Sequence, residues 1–547
     1  MRGEPAAASA AAALVAFLAA QGTDRCFCVP GESYLALLDA LHAHPTIDLV
    51  TCRHEAGAGF MALADARLTG RPGVAMVSRG PGACNAAIAV HTAQQDAVPL
   101  LLLIGQVELR DLRAEAFQEI DYGRMFGGIA KFVGEAQHPE QVPELAARAW
   151  AAMLTGVPGP AVLSLPEDVL QQACRALVPR PVSADDAAPS PAAAARLAEI
   201  LRAAERPILL AGGDLDRPGG REALLEFAER WEIPVAVSFR RQDLFPNHHP
   251  LYIGDMGLAN PAAQRAAFAE ADLVLALGTR LGDITTQGYT WPTPSPRQRL
   301  AHVCADPHFL GWRFAADPAI CAHALPTLAA LAGHDSGAPI GRAAWCERLR
   351  ALQTAEATTL PRPAEDGIVF AGLVAALGRR LSAAAIVALD SGTFAAPFYR
   401  QVLWRPPQRL LAPLAGAMGF GVPAAVAAGL RAPGRPVLCA VGDGGFLMTG
   451  AELAVAAARR LPLKIILAEN GSYGSIRIRQ EHAYPGRVSG TDLANPDLAA
   501  MGAAYGFPVR RATREAEVPA LLDALTAPGP LFALVQTSLA AVLPRFA

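Results

Sequence analysis

The stretch RPVLCAVGDGGFLM, from Arg435 to Met448, carries a single aspartate, Asp443, between glycines at the end of an apolar run. Asp-Gly is the commonest signal for a two-residue hairpin, which would require a second strand directly afterwards. The residues that follow, LMTGAELAVAAARRL, have helical apolar spacing instead. A strand that runs through glycines into a helix is the usual setting for an anion or a nucleotide phosphate. The stretch therefore predicts a strand–helix turn that faces a phosphate.

A second motif, LAENGSYG, follows one strand–helix–strand unit later and places Asn470 27 residues after Asp443. That spacing suits a crossover that returns to the neighbouring strand of a parallel sheet. Because ligands bind beyond the carboxyl ends of such strands, we expect the carboxylate and the carboxamide to meet there. Both offer hard oxygen donors of the kind that Mg²⁺ shares with substrate phosphates. The pair predicts a Mg²⁺–phosphate site, and two unrelated turns are the alternative.

Short apolar runs alternate with helix-length segments along the whole chain. This pattern predicts an α/β fold of three doubly wound parallel-sheet domains, at residues 1–175, 195–333 and 364–547. A Pro- and Ala-rich linker at 176–194 separates the first two. The strand candidates are CFCVP, DLVTC, GVAMVS, PLLLLIG and GPAVLSLP, then RPILLAGG, IPVAVSF, ADLVLALGTRLGD and RLAHVCADP, then AIVALDSGTF, RPVLCAVGDGG, LKIILAEN and LFALVQTSL.

The composition is that of an ordinary Ala-rich globular chain, with 52% hydrophobic residues, 18% charged residues and a formal net charge of −3. The chain has no basic stripe, charged tail or apolar run of about 20 residues, which argues against nucleic-acid and membrane partners. The nine cysteines are scattered without a CxxC pair, so we expect reduced thiols and a cytoplasmic location. The N-terminus, AAASAAAALVAFLAAQG, is expected to form an amphipathic first helix rather than a signal peptide.

GDG followed after 25 residues by Asn is the signature of thiamine-diphosphate enzymes, and the whole chain resembles their acetolactate-synthase-like branch. The resemblance assigns residues 1–175 to a pyrimidine-binding domain, 195–333 to a middle domain and 364–547 to a diphosphate-binding domain. It implies thiamine diphosphate and Mg²⁺ as cofactors. It also implies Asp443, Asn470 and the main-chain carbonyl of Ser472 as metal ligands.

In the first domain, VTCRHEAGAGFMA places Glu55 just past a strand, at the start of a helix. Taken alone, such a glutamate is explained by its favourable interaction with the helix dipole. The segment also resembles the family's RHE-x-GA segment. The resemblance implies that Glu55 is a catalytic residue that hydrogen-bonds the aminopyrimidine ring and promotes loss of the thiazolium C2 proton.

Further segments resemble the family's cofactor loops. The resemblance implies that the Gly416 carbonyl meets the 4'-amino group and that Met418 holds the cofactor in its bent shape. The remaining implied cofactor-binding residues are Pro30, Gly31, Asn85, Gly392, Thr393, Gly442, Gly444, Gly445, Tyr473 and Gly474. In this family the two halves of a site come from different subunits, so the resemblance also implies a homodimer or homotetramer.

The segment EAFQEIDYGRMFGGIAKFV resembles the AFQE segment of acetolactate synthases; a solvated helix face is the alternative. The resemblance implies that Gln118 faces the cofactor and that Phe117 and Lys131 shape the substrate pocket. It implies decarboxylation of a 2-oxo acid followed by carboligation. A decarboxylase or C–C lyase with the same cofactor is the alternative function, and a non-catalytic nucleotide- or flavin-binding protein is a third hypothesis.

The chain departs from the acetolactate synthase pattern at three places. After Asn470 the family's LGMVxQW is YGSIRIRQ, so Ile478 and Arg479 replace Gln and Trp in the region that governs the second substrate. GTRLGDITTQ stands where FAD-binding synthases have GARFDDR, with only Arg280 and Asp283 retained. Gly445 stands where a Ser is usual. The acetolactate product and the binding of FAD therefore stay open.

Overall fold

The computed structural model describes residues 8–175, 180–182, 185–258, 260–292, 298–337, 341–359 and 363–543. It contains three six-stranded sheets in which every pair of neighbouring strands is parallel, and helices flank each sheet. The prediction of three doubly wound parallel-sheet domains is confirmed. Across the described ranges, no helix combines the length and the apolar character that a membrane crossing needs.

The first domain contains eight strands and seven helices. Its strands are β1 (Ala8–Ser9), β2 (Arg25–Cys28), β3 (Asp48–Thr51), β4 (Gly73–Val77), β5 (Leu100–Gln106), β6 (Phe132–Glu135), β7 (Pro160–Pro166) and β8 (Ala173–Cys174). Its helices are α1 (Ala10–Ala20), α2 (Leu35–His42), α3 (Glu55–Thr69), α4 (Gly80–Asp96), α5 (Tyr122–Phe126), α6 (Gln141–Leu154) and α7 (Glu167–Gln171). The strand order is β3-β2-β4-β5-β7-β6, and β1 pairs with β8 separately.

Helix α1, expected to be amphipathic, instead buries residues on most of its faces and packs against α2 and α6. The ring of Phe17 meets that of Trp150 edge-on at 6.0 Å. An all-apolar helix of this length is stabilised by burial on several sides, whereas an amphipathic one would leave a polar face in water.

The middle domain has six strands and five helices. The strands are β9 (Pro207–Ala211), β10 (Val235–Ser238), β11 (Tyr252–Met256), β12 (Leu273–Leu277), β13 (Arg299–Cys304) and β14 (Ala319–Cys321), in the order β11-β10-β9-β12-β13-β14. The helices are α8 (Pro191–Ala203), α9 (Gly220–Trp231), α10 (Ala262–Ala269), α11 (Ala324–Ala332) and α12 (Arg342–Thr358). Helix α12 lies beyond residue 333 and still belongs to this unit, since Trp345 donates to the carbonyl of Pro207 at 2.9 Å.

The third domain repeats the architecture. Its strands are β15 (Ile386–Leu389), β16 (Arg409–Leu411), β17 (Val437–Gly442), β18 (Lys464–Glu469), β19 (Val509–Ala512) and β20 (Leu531–Gln536), in the order β16-β15-β17-β18-β20-β19. Its helices are α13 (Phe370–Arg380), α14 (Ala396–Arg400), α15 (Gly421–Arg431), α16 (Asp443–Thr449), α17 (Leu453–Ala458), α18 (Gly474–Ala483), α19 (Leu498–Ala504) and α20 (Val518–Thr526). Strand β17 passes directly into α16, so the Asp-Gly pair is a strand–helix turn and not a hairpin.

The first and third domains share one hydrophobic core. Helix α3 packs along α15, and the rings of Phe60 and Phe420 meet edge-on at 5.6 Å. Buried residues of both sheets join the same cluster around these two helices. This packing fixes the position of Glu55, the first residue of α3, relative to the third domain of the same chain.

Candidate active site

The predicted cofactor residues of the third domain meet around one cavity of about 800 Å³. Strands β15, β17 and β18 are neighbours in the sheet, so the loops at their carboxyl ends converge at one edge. We call these residues the third-domain half-site: Gly392, Thr393, Gly416, Met418, Gly442, Asp443, Gly444, Gly445, Asn470, Ser472, Tyr473 and Gly474.

Asp443 is the buried carboxylate of this half-site. One of its oxygens accepts hydrogen bonds from the backbone N–H groups of Asn470 at 3.2 Å and Gly471 at 2.8 Å. The other accepts from the N–H of Gly444 at 2.9 Å. The side-chain oxygen of Asn470 in turn accepts from the N–H of Ser472 at 3.1 Å. The crossover thus brings the two predicted metal-ligating segments into direct contact.

Asn495 is a further member of this site that the sequence analysis missed. Its Nδ2 donates to Asp443 at 3.0 Å, while its own Oδ1 is buried and has no hydrogen-bond partner in the described part of the chain. An unsatisfied oxygen beside a buried carboxylate is costly unless a cation or donor meets it. A carboxylate with amide and carbonyl oxygens around it is also the donor set that Mg²⁺ prefers. The residues present therefore fit the implied metal ion.

Two glycines of the motif lie in close contact with neighbouring side chains. A Cβ on Gly444 would lie 2.5 Å from the ring of Tyr473, and a Cβ on Gly445 would lie 3.1 Å from the carboxyl carbon of Asp390. The absence of the usual Ser at position 445 is consistent with this contact, because a side chain there would press on Asp390.

Asp390, at the end of β15, is a second residue that the sequence analysis missed. Its carboxylate accepts from the N–H groups of Ser391 at 2.6 Å, Gly419 at 2.9 Å and Gly421 at 3.1 Å. Burial raises the pKa of Asp390 to about 6, against the lowering effect of these donors. The carboxylate ties the loop that carries Met418 to β15. Its position directly after an apolar strand was the available signal.

The first-domain residues form a second group, which we call the first-domain half-site: Pro30, Gly31, Glu55, Asn85, Phe117 and Gln118. Glu55 starts α3, and its carboxylate accepts from Nδ2 of Asn85 at 2.9 Å. A Cβ on Gly31 would lie 2.6 Å from that of Ser78, so the loops VPGES and SRGPGACN are in contact.

The AFQE segment packs against the start of α4, on which Asn85 lies. The backbone N–H of Gly80 donates to the carbonyl of Gln118 at 3.0 Å, and Gln118 has a φ of +66°. Phe117 is 77% exposed. Lys131, by contrast, directs its ammonium to the carbonyls of Thr155 and Val157. Residues 115–121 of the segment therefore form a loop beside the first-domain half-site, and its helical part is α5, Tyr122–Phe126.

The first-domain half-site of the chain does not line the cavity of the third-domain half-site. The residues that line the cavity of about 800 Å³ come from the middle and third domains, and none of the first-domain half-site is among them. Apolar side chains are exposed beside both half-sites: Ile88 on α4, and Leu447 and Met448 on α16. Exposed apolar groups of this kind are typical of surfaces that another protein covers.

Glu452 links the two domains behind Glu55. Its fully buried carboxylate accepts from the backbone N–H groups of His54 at 2.9 Å and Arg53 at 3.0 Å. Burial raises the pKa of Glu452 to about 7, opposed by these donors. No sequence motif marked Glu452, because its partners are backbone groups about 400 residues away.

A second cavity, of about 740 Å³, lies at the carboxyl edge of the middle sheet and includes Arg280 and Asp283. Its described arginines already have acceptors. Arg280 donates to the carbonyl of Gln94 at 3.0 Å, Arg217 pairs with Asp186 at 2.6 Å, and Arg67 and Arg241 both pair with Asp216. Among the described residues that line this cavity, each arginine already contacts a carboxylate or a carbonyl, so none is left without a partner for the diphosphate of a flavin dinucleotide.

Three family models match consecutive parts of the chain. They are described as the N-terminal TPP-binding domain, the central domain and the C-terminal TPP-binding domain of thiamine pyrophosphate enzymes. The matches cover residues 8–125, 194–331 and 390–535, respectively.

Curated relatives match over nearly the whole chain. The acetolactate synthase large subunit of Parasynechococcus marenigrum is 32% identical over 96% of this chain and 87% of its own length. The acetolactate synthase isozyme 1 large subunit of Escherichia coli is 32% identical over 94% of this chain and 92% of its own length. A probable acetolactate synthase large subunit of Methanocaldococcus jannaschii is 30% identical over 92% of this chain and 87% of its own length.

Proposed function

The chain belongs to the thiamine pyrophosphate enzymes, and from this membership we propose that it joins a decarboxylated 2-oxo acid to a second carbonyl compound at a site shared by two copies of the chain. The family relationship makes it a thiamine-diphosphate-dependent enzyme acting on 2-oxo acids. The proposal adds the roles of individual residues and the assembly of at least two chains around one site. The observation that carries it is the convergence of the third-domain half-site on one cavity around Asp443.

The third-domain half-site binds and orients the cofactor in this proposal. Asp443, Asn470 and the Ser472 carbonyl would hold Mg²⁺, whose charge would offset the repulsion between the Asp443 carboxylate and the diphosphate of the cofactor. Bound thiamine diphosphate supplies the electron sink that decarboxylation of a 2-oxo acid requires. Gly416, whose φ of +72° turns its backbone sharply, presents its carbonyl to the aminopyrimidine.

Glu55 holds a proton at the aminopyrimidine ring in this proposal. Its hydrogen bond from Asn85 at 2.9 Å fixes the carboxylate at the start of α3. Gln118 and Phe117, in the loop that contacts the start of α4 at Gly80, complete the first-domain side of the pocket in this proposal. These roles require the first-domain half-site of one chain to face the third-domain half-site of another, which supports a homodimer or a homotetramer.

The decisive experiment is a panel of 2-oxo acids, incubated with the purified chain, thiamine diphosphate and Mg²⁺. Each reaction is scored for CO₂ and for the coupled hydroxy-keto product. Pyruvate, the obvious first member given the relatives' names, is expected to yield both. A panel in which no acid releases CO₂ would overturn the proposed function.

A decarboxylase or C–C lyase is the second candidate. Ile476 and Ile478 line the cavity. In the acetolactate synthase pattern LGMVxQW these positions are Val and Gln, and the Trp that follows is Arg479 in this chain. Release of free aldehyde with CO₂, without coupled product at high acceptor concentration, would favour this candidate over the first.

We also propose a cytoplasmic location. The nine cysteines are all free thiols, and seven of them are buried, which suits a reducing compartment. Cell fractionation with an antibody against the chain tests this, and recovery from a secreted or membrane fraction would contradict it.

A further inference from the structure

Glu452 brings a carboxylate of the third domain to the backbone directly before Glu55. The residue ends a single helical turn, residues 450–452, that directly follows α16. Its side chain is fully buried, and its Oε1 accepts from the backbone N–H groups of His54 at 2.9 Å and Arg53 at 3.0 Å. Within the described part of the chain, neither N–H group has an acceptor other than Glu452. Glu452 therefore holds both of these peptide groups.

The main chain of Glu55 is held on both sides. Glu452 holds the peptide groups before it, and after it the N–H of Ala56 donates to Nδ1 of the His54 ring at 3.1 Å. A Cβ on Gly57 would lie 2.2 Å from Oε1 of Glu452, so the first turn of α3 is in close contact with this carboxylate. The position from which the side chain of Glu55 extends thus depends on the place of Glu452.

One continuous segment of the third domain contacts both half-sites of its chain. Helix α16 begins at Asp443, in the third-domain half-site, and the turn after it ends at Glu452, behind Glu55. In the proposed assembly these two half-sites serve different active sites, because each site takes Glu55 from one chain and Asp443 from another. Glu452 therefore contacts the Glu55 side of one site, although its position in the sequence is close to Asp443 of the other.

Resting on the proposed function, we propose that Glu452 is a positioning residue for proton transfer at Glu55, and that it acts on the active site whose cofactor is bound by the third domain of the partner chain. Glu452 acts through its hydrogen bonds to the backbone of Arg53 and His54. Proton transfer requires the carboxylate of Glu55 within hydrogen-bond reach of the aminopyrimidine. A displacement of about 1 Å at such a group can cost about a hundredfold in rate.

A purely structural role for Glu452 makes a different prediction. A carboxylate that only joined the two domains would change the stability of the protein and leave the rate at each occupied site unchanged. The two domains also have other contacts, since α3 packs along α15 and the rings of Phe60 and Phe420 meet at 5.6 Å. We therefore expect the domains to stay together without Glu452, so that rates can be measured.

Two variants disturb the contact from its two sides. Glu452→Met removes both accepting oxygens and keeps a side chain of similar length. Gly57→Ala leaves Glu452 in the chain, but the added methyl group would displace its carboxylate. Alanine is a better helix former than glycine, so Gly57→Ala does not weaken α3 through helix propensity.

The conservative variant Glu452→Gln keeps an oxygen that can accept from His54 and Arg53, and it should recover most of the lost rate. The matched control is Glu517→Met. Glu517 also accepts from two backbone N–H groups, those of Thr513 at 2.7 Å and Arg514 at 3.2 Å, but these lie in its own domain. Glu517→Met should match wild type.

The main measurement is exchange of the thiazolium C2 proton by NMR, per mole of thiamine diphosphate bound, so that it does not depend on the fraction of folded protein. Glu452→Met and Gly57→Ala are expected to slow this exchange about ten- to hundredfold. Their affinity for thiamine diphosphate, measured by calorimetry, should be unchanged because Asp443 and Asn470 are intact. Without cofactor, mass spectrometry should show faster amide hydrogen exchange at residues 53–54 in both variants.

Mixed dimers show which active site Glu452 serves. Glu452→Met reassociated with Asp443→Ala should recover about a quarter of wild-type activity, because half of the dimers are mixed and each has one intact site. Glu452→Met reassociated with Glu55→Gln should recover nothing, because both changes affect the Glu55 side and every mixed dimer has a defect in each site. The reference mixture is Glu55→Gln with Asp443→Ala, which should recover about a quarter.

Two outcomes overturn the proposal for Glu452. The first is C2 exchange at the wild-type rate in Glu452→Met and Gly57→Ala. The second is recovery of activity with Glu55→Gln and none with Asp443→Ala. Gly57→Ala can replace Glu452→Met in every measurement if Glu452→Met does not fold. Failure of the proposed function is distinguishable: no 2-oxo acid releases CO₂ with wild type, or the reference mixture stays inactive and the shared site is wrong.

Discussion

The carboxylate of Glu452, in the third domain, accepts a hydrogen bond from the backbone N–H of His54 at 2.9 Å, directly before the proposed catalytic residue Glu55. The same oxygen accepts from Arg53 at 3.0 Å. A Cβ on Gly57 would lie 2.2 Å from it, so the first turn of α3 is closely packed over the carboxylate. Glu452 thereby fixes the start of α3 from the opposite domain.

This contact predicts a specific pH dependence of stability. Burial raises the pKa of Glu452 from 4.5 to about 7 in the folded protein, with Glu55 raising it further and Arg53 lowering it. Between about pH 4.5 and 7 the unfolded chain loses this proton while the folded chain keeps it. The contribution of Glu452 to the free energy of unfolding is therefore fully present below pH 4.5 and declines up to about pH 7.

Glu452→Gln should remove that decline while keeping the accepting oxygen for His54 and Arg53. Chemical denaturation at pH 5 and pH 8 measures it: the difference in unfolding free energy between the two pH values should be smaller in the variant. Glu517→Gln serves as the control, because hydrogen bonds from Thr513 and Arg514 lower the pKa of Glu517 to about 2, so that this carboxylate does not titrate between pH 5 and 8. Equal pH dependence in wild type and Glu452→Gln would rule out this role.

A site shared between chains predicts complementation between two inactive variants. Glu55→Gln should bind cofactor yet lose exchange of the thiazolium C2 proton, and Asp443→Ala should lose Mg²⁺-dependent cofactor binding. A mixed dimer has one site with both defects and one site with neither. Random reassociation of equal amounts should therefore restore about a quarter of wild-type activity, because half of the dimers are mixed.

The control for this experiment is each variant mixed with itself, which should stay inactive. If both half-sites belonged to the same chain, each chain would carry one defect and no mixture would recover activity. Proton NMR of C2 exchange in the Glu55→Gln protein checks the first defect separately, and unchanged exchange would exclude Glu55 from proton transfer.

The buried central strands were predictable and the sheet edges mostly were not. The three six-stranded sheets have six edge strands, and the sequence analysis missed five of them: β6, β11, β14, β16 and β19. The central strands were found as continuous apolar runs. A central parallel strand is covered on both faces, so its sequence is uniformly apolar. The missed edge strands have one neighbour each, and they are short, as in RLL of β16, or partly exposed, as in VRRA of β19, so their patterns are weak.

The residues of the candidate site also fall into those that the sequence predicts and those that it does not. Asp443 and Asn470 follow apolar strands, and their chemistry could be predicted from spacing. Asn495 reaches Asp443 from a loop 52 residues further along the same domain. Glu452 reaches the backbone of His54 only because the first and third domains pack together. Sequence spacing carries no information on such contacts, so these residues became visible only in the structure.

Domain packing also depends on Asp216, a buried carboxylate at the junction of all three domains. Its oxygens lie within ion-pair distance of four arginines: Arg67 at 3.3 Å, Arg221 at 2.7 Å, Arg241 at 3.0 Å and Arg409 at 2.8 Å. Burial alone would raise the pKa of Asp216, but the arginines hold it well below its ordinary value. The carboxylate therefore stays charged.

Asp216→Ala should destabilise the protein by about 3–5 kcal/mol, because it leaves several buried arginines without their shared counter-charge. The control is Asp317→Ala, whose carboxylate pairs with Arg196 and Arg299 but is 60% exposed, and which should cost about 1 kcal/mol or less. Urea denaturation of both variants measures the difference. Equal losses would show that the buried cluster contributes no more than a surface pair.

The position of Asn495 predicts a graded loss of metal affinity. Asp443 and Asn470 are proposed to contact Mg²⁺ directly, whereas Asn495 orients Asp443 through its Nδ2 donor at 3.0 Å. Removing an outer partner of a metal ligand typically costs about 10- to 100-fold in metal affinity. Asn495→Ala should therefore weaken Mg²⁺-dependent binding of thiamine diphosphate by that factor, and Asn470→Ala and Asp443→Ala should weaken it more.

Calorimetric titration of thiamine diphosphate at a series of Mg²⁺ concentrations separates the possible causes. If Asn495 acts through the metal, saturating Mg²⁺ should restore cofactor binding in Asn495→Ala, since mass action compensates a weakened metal site. If Asn495 instead supports only the loop packing, the loss should persist at every Mg²⁺ concentration and the melting temperature should fall without cofactor. If Asn495→Ala showed the same Mg²⁺ dependence as wild type, the buried contact between Asn495 and Asp443 would have no role in binding the metal.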